Sequence, residues 1–455
     1  MASLFQYRQI RRAIQQKIEG SFTENWDKQR ANFDDTAAQS VIIVNWSREN
    51  DPTNPVNYST PRKAVMTLLV SLLAIAVTAS SSIDACGVTQ YSEYFNVSGV
   101  LCFLIGFGIG SLFSGPFSET FGRSAVYLVT MFVFLLFVIV SALAPTLQSH
   151  LIFRVLAGFF GSTPLTCAGG TVADLWNPLQ KTYAFLLYAV PAFGGPVIGQ
   201  TIGSFVPITL GWRWLEWIML IMEGLTLMVV WKAAELRKQT GNDQYRAPME
   251  LQRTDHYSYG VLYLTIVYMV LFSFLEGYTF VFGRTYSLSQ GLTSIAWVGM
   301  LVGELLVSCV IPLVYSWTCR EYKRTSRIRP EARLWYATLG DAPAVPISLF
   351  WMGWTSCSTV TIWSPLIASV LFGYGITTIF LVAYMYIIDC YRVFSASALG
   401  FVVFSRYIVA GAISVAGAPI YCSLGVHALA GVIPYLLYVY GPSIRKHSKY
   451  ATKKN

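Results

Sequence analysis

Six charged residues lie inside runs that are otherwise apolar: Arg154 in LIFRVLAGFFGS, Glu223, Glu276 in FLEGYTF, Glu304, Asp341 and Arg406. Within a membrane each costs at least about 2.5 kcal/mol unless it is paired, wet or neutralised. A carboxyl kept from water and from cations holds a proton more readily, so these residue types suit proton coupling or charge pairing. Glu223 and Glu304 have two open readings, as proton carriers or as partners of Arg154 or Arg406. Tyr278 and Phe280, beside Glu276, can line a pocket for a flat molecule or simply pack.

Bond-making chemistry finds less support. The four histidines, His150, His256, His427 and His447, fall in predicted loops or at span ends, with no HxxxH, HExxH or HxxxxD cluster to hold a metal or act as base. No GxxxxGK[ST] run offers a phosphate cradle, so ATP is not expected to drive the protein. No metal, no cofactor and no enzymatic activity are expected. The eight cysteines are scattered singly and read as small apolar or loop residues.

The elements that must position these charges follow from composition. Of 455 residues 54% are hydrophobic and 12% charged, about half the charged share of a soluble protein. A bilayer core about 30 Å thick takes about 20 helical residues. Twelve apolar segments are predicted: 64–84, 97–117, 125–144, 150–173, 183–206 and 212–233, then 258–282, 291–315, 337–356, 361–388, 394–423 and 426–440. The second and last are short for a span. The predicted organisation is a cytoplasmic tail over 1–62, a six-helix half over 63–233, a polar central loop over 234–257, a second half over 258–440 and a basic tail over 441–455. The N-terminal residues contain no apolar run of signal-peptide length, so the first span is expected to direct insertion.

Charge placement sets the expected orientation. With the N-terminus inside, 28 of the 32 Lys and Arg fall on the cytoplasmic side, as the positive-inside rule requires. The net charge of +9 therefore reports topology, and no nucleic-acid partner is expected. Both termini are expected in the cytoplasm, the protein in the cell membrane among lipid, working as a monomer. Asn96-Val-Ser98 is a glycosylation sequon in the first outer loop of this topology.

Three small-residue motifs lie in order along these spans. Gly115-Pro-Phe-Ser-Glu119-Thr-Phe-Gly122-Arg123-Ser124 allows a tight turn, with Glu119 placed to cap or charge-pair a helix end and Arg123 to anchor in a neighbouring bundle. Arg154 stands ahead of Gly158 and Gly161. Gly195-Pro196 leads a stripe completed by Gly199 and Gly203, which permits close backbone approach while Pro196 removes a donor.

These resemble motifs A, B and C of the major facilitator superfamily. Phe117 and Ser124 depart from motif A, while Gln200 and missing glycines depart from motif C. NPVNYS, GWRW at 211–214, RPEARL at 329–334, SLFWMGWTS at 348–356, YMYIIDCYRVFSASAL at 384–399 and the ending at Tyr438 to Pro442 resemble the fungal branch of twelve-span drug:proton antiporters.

The resemblance implies an all-α polytopic major facilitator fold, two six-helix halves with pseudo-two-fold symmetry and a midplane substrate site. It implies proton-driven efflux of a small amphipathic drug, polyamine or secondary metabolite. Glu276 matches the branch's E-x-Y pattern and is the first candidate for proton coupling. Arg154 is a coupling residue by the same resemblance, and Asp389 organises the cytoplasmic gate. The chain looks shorter than the family at the start of span two, after span six and inside span twelve. Two alternatives stay open: a transport-impaired paralogue or scaffold, and an importer or facilitator of the same fold.

Overall fold

In the computed structural model the described residues are 55–95, 100–239, 257–325, 343–357, 359–391, 395–413 and 421, all within one compact unit, Trp46–Asn455. Every regular element among them is helical. In chain order they are α1 (Thr60–Phe95), α2 (Val100–Phe121), α3 (Arg123–Ala142), α4 (Leu147–Gly161), α5 (Thr163–Leu175), α6 (Lys181–Leu210) and α7 (Arg213–Gln239). Then follow α8 (Tyr257–Tyr278), α9 (Gln290–Ala296), α10 (Val298–Thr325), α11 (Ala344–Thr355), α12 (Trp363–Tyr391) and α13 (Ser395–Ile413). Nine helical stretches among the described residues are long and apolar enough to cross a membrane.

Local chemistry explains the breaks. Gly122 and Gly211 have φ of 88° and 86°, a left-handed conformation that lets α2 turn into α3 and α6 into α7. Thr146 and Ser149 form a reciprocal cap that opens α4. Pro164 sits in the first turn of α5, where its missing N–H is tolerated, so α4 and α5 form one span with a break at Ser162. The end of α8 widens into a π-helical turn, Thr279–Thr285, just beyond Glu276.

One boundary differs from the sequence expectation. The first span was expected to end near residue 84, yet α1 continues to Phe95. Residues 85–95 contain no proline, and polarity alone does not stop a helix. Of the ninth predicted span, 337–356, the described part is a helix over Ala344–Thr355, about 18 Å long, and residues 337–342 lie outside the described residues. The last predicted span, Asp341 and Asn96 lie outside the described residues.

Packing uses one face of each helix and leaves the other apolar. Phe132, Trp231, Leu305, Trp354, Trp363 and Ile367 are exposed, an outer surface that suits lipid rather than water. α1 packs on α6 along the glycine stripe. A Cβ on Gly195 would overlap Thr78 Oγ1 and lie 2.8 Å from the Ile75 carbonyl oxygen, and one on Gly199 would overlap Ala79 O and Ser82 Oγ. Ser82 Oγ also donates to the Pro196 carbonyl at 3.0 Å. Gly203, next along the stripe, is buried.

Overpacking at such a contact costs about 1–3 kcal/mol. Gly195→Ala is therefore expected to lower the melting temperature of the detergent-solubilised protein. Gly224→Ala, where nothing lies within 4 Å of the added carbon, is expected to leave it unchanged or raise it.

Candidate functional site

The deepest charge pair joins α4 to α7. Arg154 and Glu216 are each fully buried, with Arg154 Nη2 2.5 Å from Glu216 Oε1. Around them, Ser141 Oγ donates to the same carboxylate oxygen at 3.4 Å and lies 3.0 Å from His150 Nδ1. His150 Nε2 stands 3.9 Å from Glu216, and the Met219 sulfur and the Phe103 ring cover the guanidinium. A bundle of three helices, α3, α4 and α7, is thus pinned by one polar cluster.

This corrects the pairing left open from sequence, because the partner of Arg154 is neither Glu223 nor Glu304. Glu216 lies in the first turn of α7, within GWRWLEW, where it reads as part of an interfacial loop. His150, expected at a span end, is 2% exposed and belongs to the cluster. A match of depth was the available signal: Arg154 and Glu216 both lie near the ends of their spans on one side of the bundle.

Glu223 and Glu304 instead have no cation partner among the described residues. Glu223, two turns beyond Glu216 on α7, receives a hydrogen bond from Ser80 Oγ at 3.4 Å, and its Oε2 has no hydrogen-bond partner. Glu304 on α10 is fully buried with neither oxygen partnered. Its Oε2 lies 3.8 Å from where a Cβ of Gly194 would be, so it faces α6 across the contact between the earlier and later helices. Gly194 was not singled out in the sequence, although it adjoins the motif C pair: Gly195 faces α1 while Gly194 faces α10. Glu276 sits in the last turn of α8, and its side chain is outside the described set.

Arg406, on α13, is 2% exposed and has no ion-pair partner among the described residues. Its guanidinium lies over four aromatic rings, Tyr268, Phe380, Tyr384 and Tyr407, at 4.5 to 5.4 Å from their centroids. Tyr278 packs in the core against Phe274, Phe282 and Trp297. Phe280 lies near the Tyr421 ring and under Arg284.

At the end of the bundle carrying Arg123, three polar contacts gather. Glu119 accepts from the Ser397 backbone N–H at 2.9 Å and from its hydroxyl at 2.5 Å, a carboxylate at the N-terminus of α13, where the helix dipole favours negative charge. Gly115 allows this approach, since a Cβ there would lie 2.8 Å from the Ala396 oxygen and from Ser397 Cα. Lys181 Nζ of α6 lies 3.8 Å from Asp389 of α12. Arg123 bonds Asp174 of α5 at 2.8 Å and the Cys167 carbonyl at 3.0 Å, and only a glycine at 170 leaves room for it. The expected roles therefore divide: Glu119 reaches the later helices, whereas Arg123 anchors within the first six. At the opposite end, Ser204 of α6 hydrogen-bonds Ser294 of α9, so the earlier and later helices touch at both ends.

Many lipid-compatible helices, buried lone charges and polar ties between two groups of helices define an integral membrane transporter. The chain belongs to the Major Facilitator Superfamily, whose sequence profile matches residues 64–419, and it has the fold of that superfamily. It is 38% identical to "MFS-type transporter kojT" of Aspergillus flavus over 472 aligned positions, covering 90% of this chain and 83% of that one. It is 32% identical to the "Ascochitine biosynthesis cluster MFS transporter" of Didymella fabae, covering 90% of each. Among solved structures, the human organic anion transporter MFSD10 superposes with a TM-score of 0.60 at 15% identity, over 85% of this chain and all of that one.

Breaking a buried ion pair costs about 3–5 kcal/mol because the remaining charge is left uncompensated. Glu216→Gln is therefore expected to lower the melting temperature sharply. The double variant Arg154→Met with Glu216→Gln is expected to recover much of the loss, and a double-mutant cycle of thermal melts checks it.

Proposed function

We propose that the chain is a proton-coupled antiporter that exports a small amphipathic organic molecule, such as a secondary metabolite, toxin or drug, across the plasma membrane. The observation that carries this reading is Glu304. A fully buried carboxyl with neither oxygen bonded is stable in such a setting when it carries a proton or meets water. It sits on α10 against Gly194 of α6, where any rocking of the halves must change its surroundings. Proton entry from outside neutralises it, and release toward the cytoplasm resets it. Glu223 and Glu276 extend the set of carboxyls available to the proton.

Alternating access then consists of breaking one set of end contacts while keeping the other. Opening toward the cytoplasm requires Glu119 to leave Ser397 and Lys181 to leave Asp389. Opening the other way requires Ser204 to leave Ser294. The charge distribution, with 28 of 32 basic residues on one side of the expected topology, supports cytoplasmic termini. A relative named for a biosynthesis cluster supports a metabolite as cargo. Lipid surrounds the protein, which works as a monomer with no cofactor beyond the proton gradient.

A transport-impaired form is the second reading, and one observation favours it. The alignment with the Aspergillus flavus relative spans 472 positions, more than the 455 residues of the whole chain. Internal segments present in that relative are therefore missing here.

Yeast cells expressing the protein and loaded either with neutral Nile red or with the anion carboxyfluorescein distinguish the two. Export predicts lower dye retention than in control cells, a difference that an uncoupler removes. Glu304→Gln is expected to lose the gradient-dependent part, while Glu235→Gln, on the exposed end of α7, keeps it. Retention that ignores the uncoupler contradicts proton coupling, and no difference from control cells at equal surface expression supports the impaired form.

A further inference from the structure

We propose that Arg406 and the rings around it form the substrate site, and that the substrate is a planar organic anion whose charged group the guanidinium receives. The inference rests on the transport reading above and gives its cargo a chemical class.

Depth comes first. Arg406 lies about eleven residues from Ser395, Tyr268 about eleven from Tyr257 and Phe380 about eleven from Tyr391, which is ~16 Å along each helix. Those three ends belong to the same side of the bundle. The cage therefore sits halfway through a hydrocarbon core of about 30 Å, where neither end of the bundle can supply a solvated counter-ion.

The position is also between the halves. Phe380 meets Phe193 of α6 at 4.8 Å between centroids, and Tyr407 meets Phe107 of α2 at 4.4 Å. The cage of the later helices is thus closed by rings of the earlier ones. Separating the halves parts these two ring contacts and exposes flat aromatic faces on both walls, with the guanidinium beside them.

Hydrogen-bonding capacity then selects the sign of the ligand. Aromatic faces attract a guanidinium but accept almost none of its directed N–H groups. Arg406 Nε has no hydrogen-bond partner, and the Tyr384 hydroxyl, whose oxygen is near enough to interact with the guanidinium, finds no acceptor for its own O–H. Two unmet donors therefore stand together at one buried point. Orphaned buried donors are rare and call for an acceptor. A carboxylate, sulfonate or enolate matches the planar fork of arginine and supplies oxygen to both. A cation would be repelled there, and a neutral molecule would leave the charge of Arg406 unmatched.

The lone carboxyls do not compete for this role. Glu304 and Glu223 belong to α10 and α7, whereas every ring of the cage belongs to α8, α12 or α13. Glu304 faces Gly194, next to the Phe193 that meets Phe380 of the cage, so carboxyl and cage share the same contact between the halves and movement there alters both.

Three naphthalene derivatives of one shape test the assignment: the sulfonate, the neutral sulfonamide and the trimethylammoniomethyl cation. Equilibrium binding to the purified full chain in detergent needs no proton gradient. The expected result is that the sulfonate binds at least tenfold tighter than the other two. Arg406→Gln should remove that preference while sulfonamide binding stays within about twofold. Tyr384→Phe should weaken the sulfonate severalfold, and Arg406→Lys, which keeps the charge, should retain part of the preference. Equal binding of all three, preference for the cation, no binding of any, or an Arg406→Gln effect equal on sulfonate and sulfonamide overturns the assignment. Melting curves of each variant separate lost binding from lost fold, with Arg406→Lys carrying the test should Arg406→Gln fail to fold. Flux keeps the two claims apart. Sulfonate binding without gradient-driven flux contradicts the export reading alone, and gradient-driven flux of the cation contradicts the anion site alone.

Discussion

Taking a charge out of water costs several kcal/mol, and the described helices carry five charged side chains deep in their interiors. Arg154 and Glu216 solve the problem with each other, and that solution fixes the relation of α3, α4 and α7. Because Arg154 is already matched, Glu223, two turns further along α7, is left without a cation among the described residues. Because no carboxylate among the described residues reaches Arg406, its charge is met by aromatic faces. Charge is thus compensated in three ways within one bundle: an ion pair, carboxyls with no cation among the described residues, and a guanidinium held among aromatic rings.

Small residues make that arrangement possible. Gly195 and Gly199 bring α1 against α6, Gly170 admits Arg123 beside α5, and Gly115 lets Glu119 reach α13. Gly194 turns the opposite way from Gly195, toward Leu301 and Glu304 of α10. One adjacent pair of glycines therefore serves two contacts, a tight one with α1 inside the first half and a looser one with α10 across the halves.

Most of the spans were legible as apolar runs, and the turn at Gly122 was legible from its glycines. Partners were not. Helices that are apolar all round give little indication of which face meets which neighbour, so Arg154 could be recognised as needing a counter-charge without Glu216 being recognised as its source. Glu216 was hidden by its setting among tryptophans at a helix start, and His150 by its place one turn into α4. Residues of the Arg406 cage come from α8 and from the consecutive α12 and α13 more than 80 residues later, and none of them carries a local spacing pattern. Family motifs identified Glu119, Arg123 and Asp389 by position. Which helices they join had to come from the structure.

The central claim is that a proton moves against the substrate, and direct observation of the proton is its clearest test. Vesicles holding the purified protein, loaded with naphthalenesulfonate and the trapped pH dye pyranine, are diluted into substrate-free buffer with the membrane potential clamped by potassium and valinomycin. Antiport requires the lumen to acidify as the sulfonate leaves, with the acidification absent in Glu304→Gln vesicles and in vesicles without protein. A lumen that becomes alkaline as the sulfonate leaves, or sulfonate efflux with no change of pH, would contradict it.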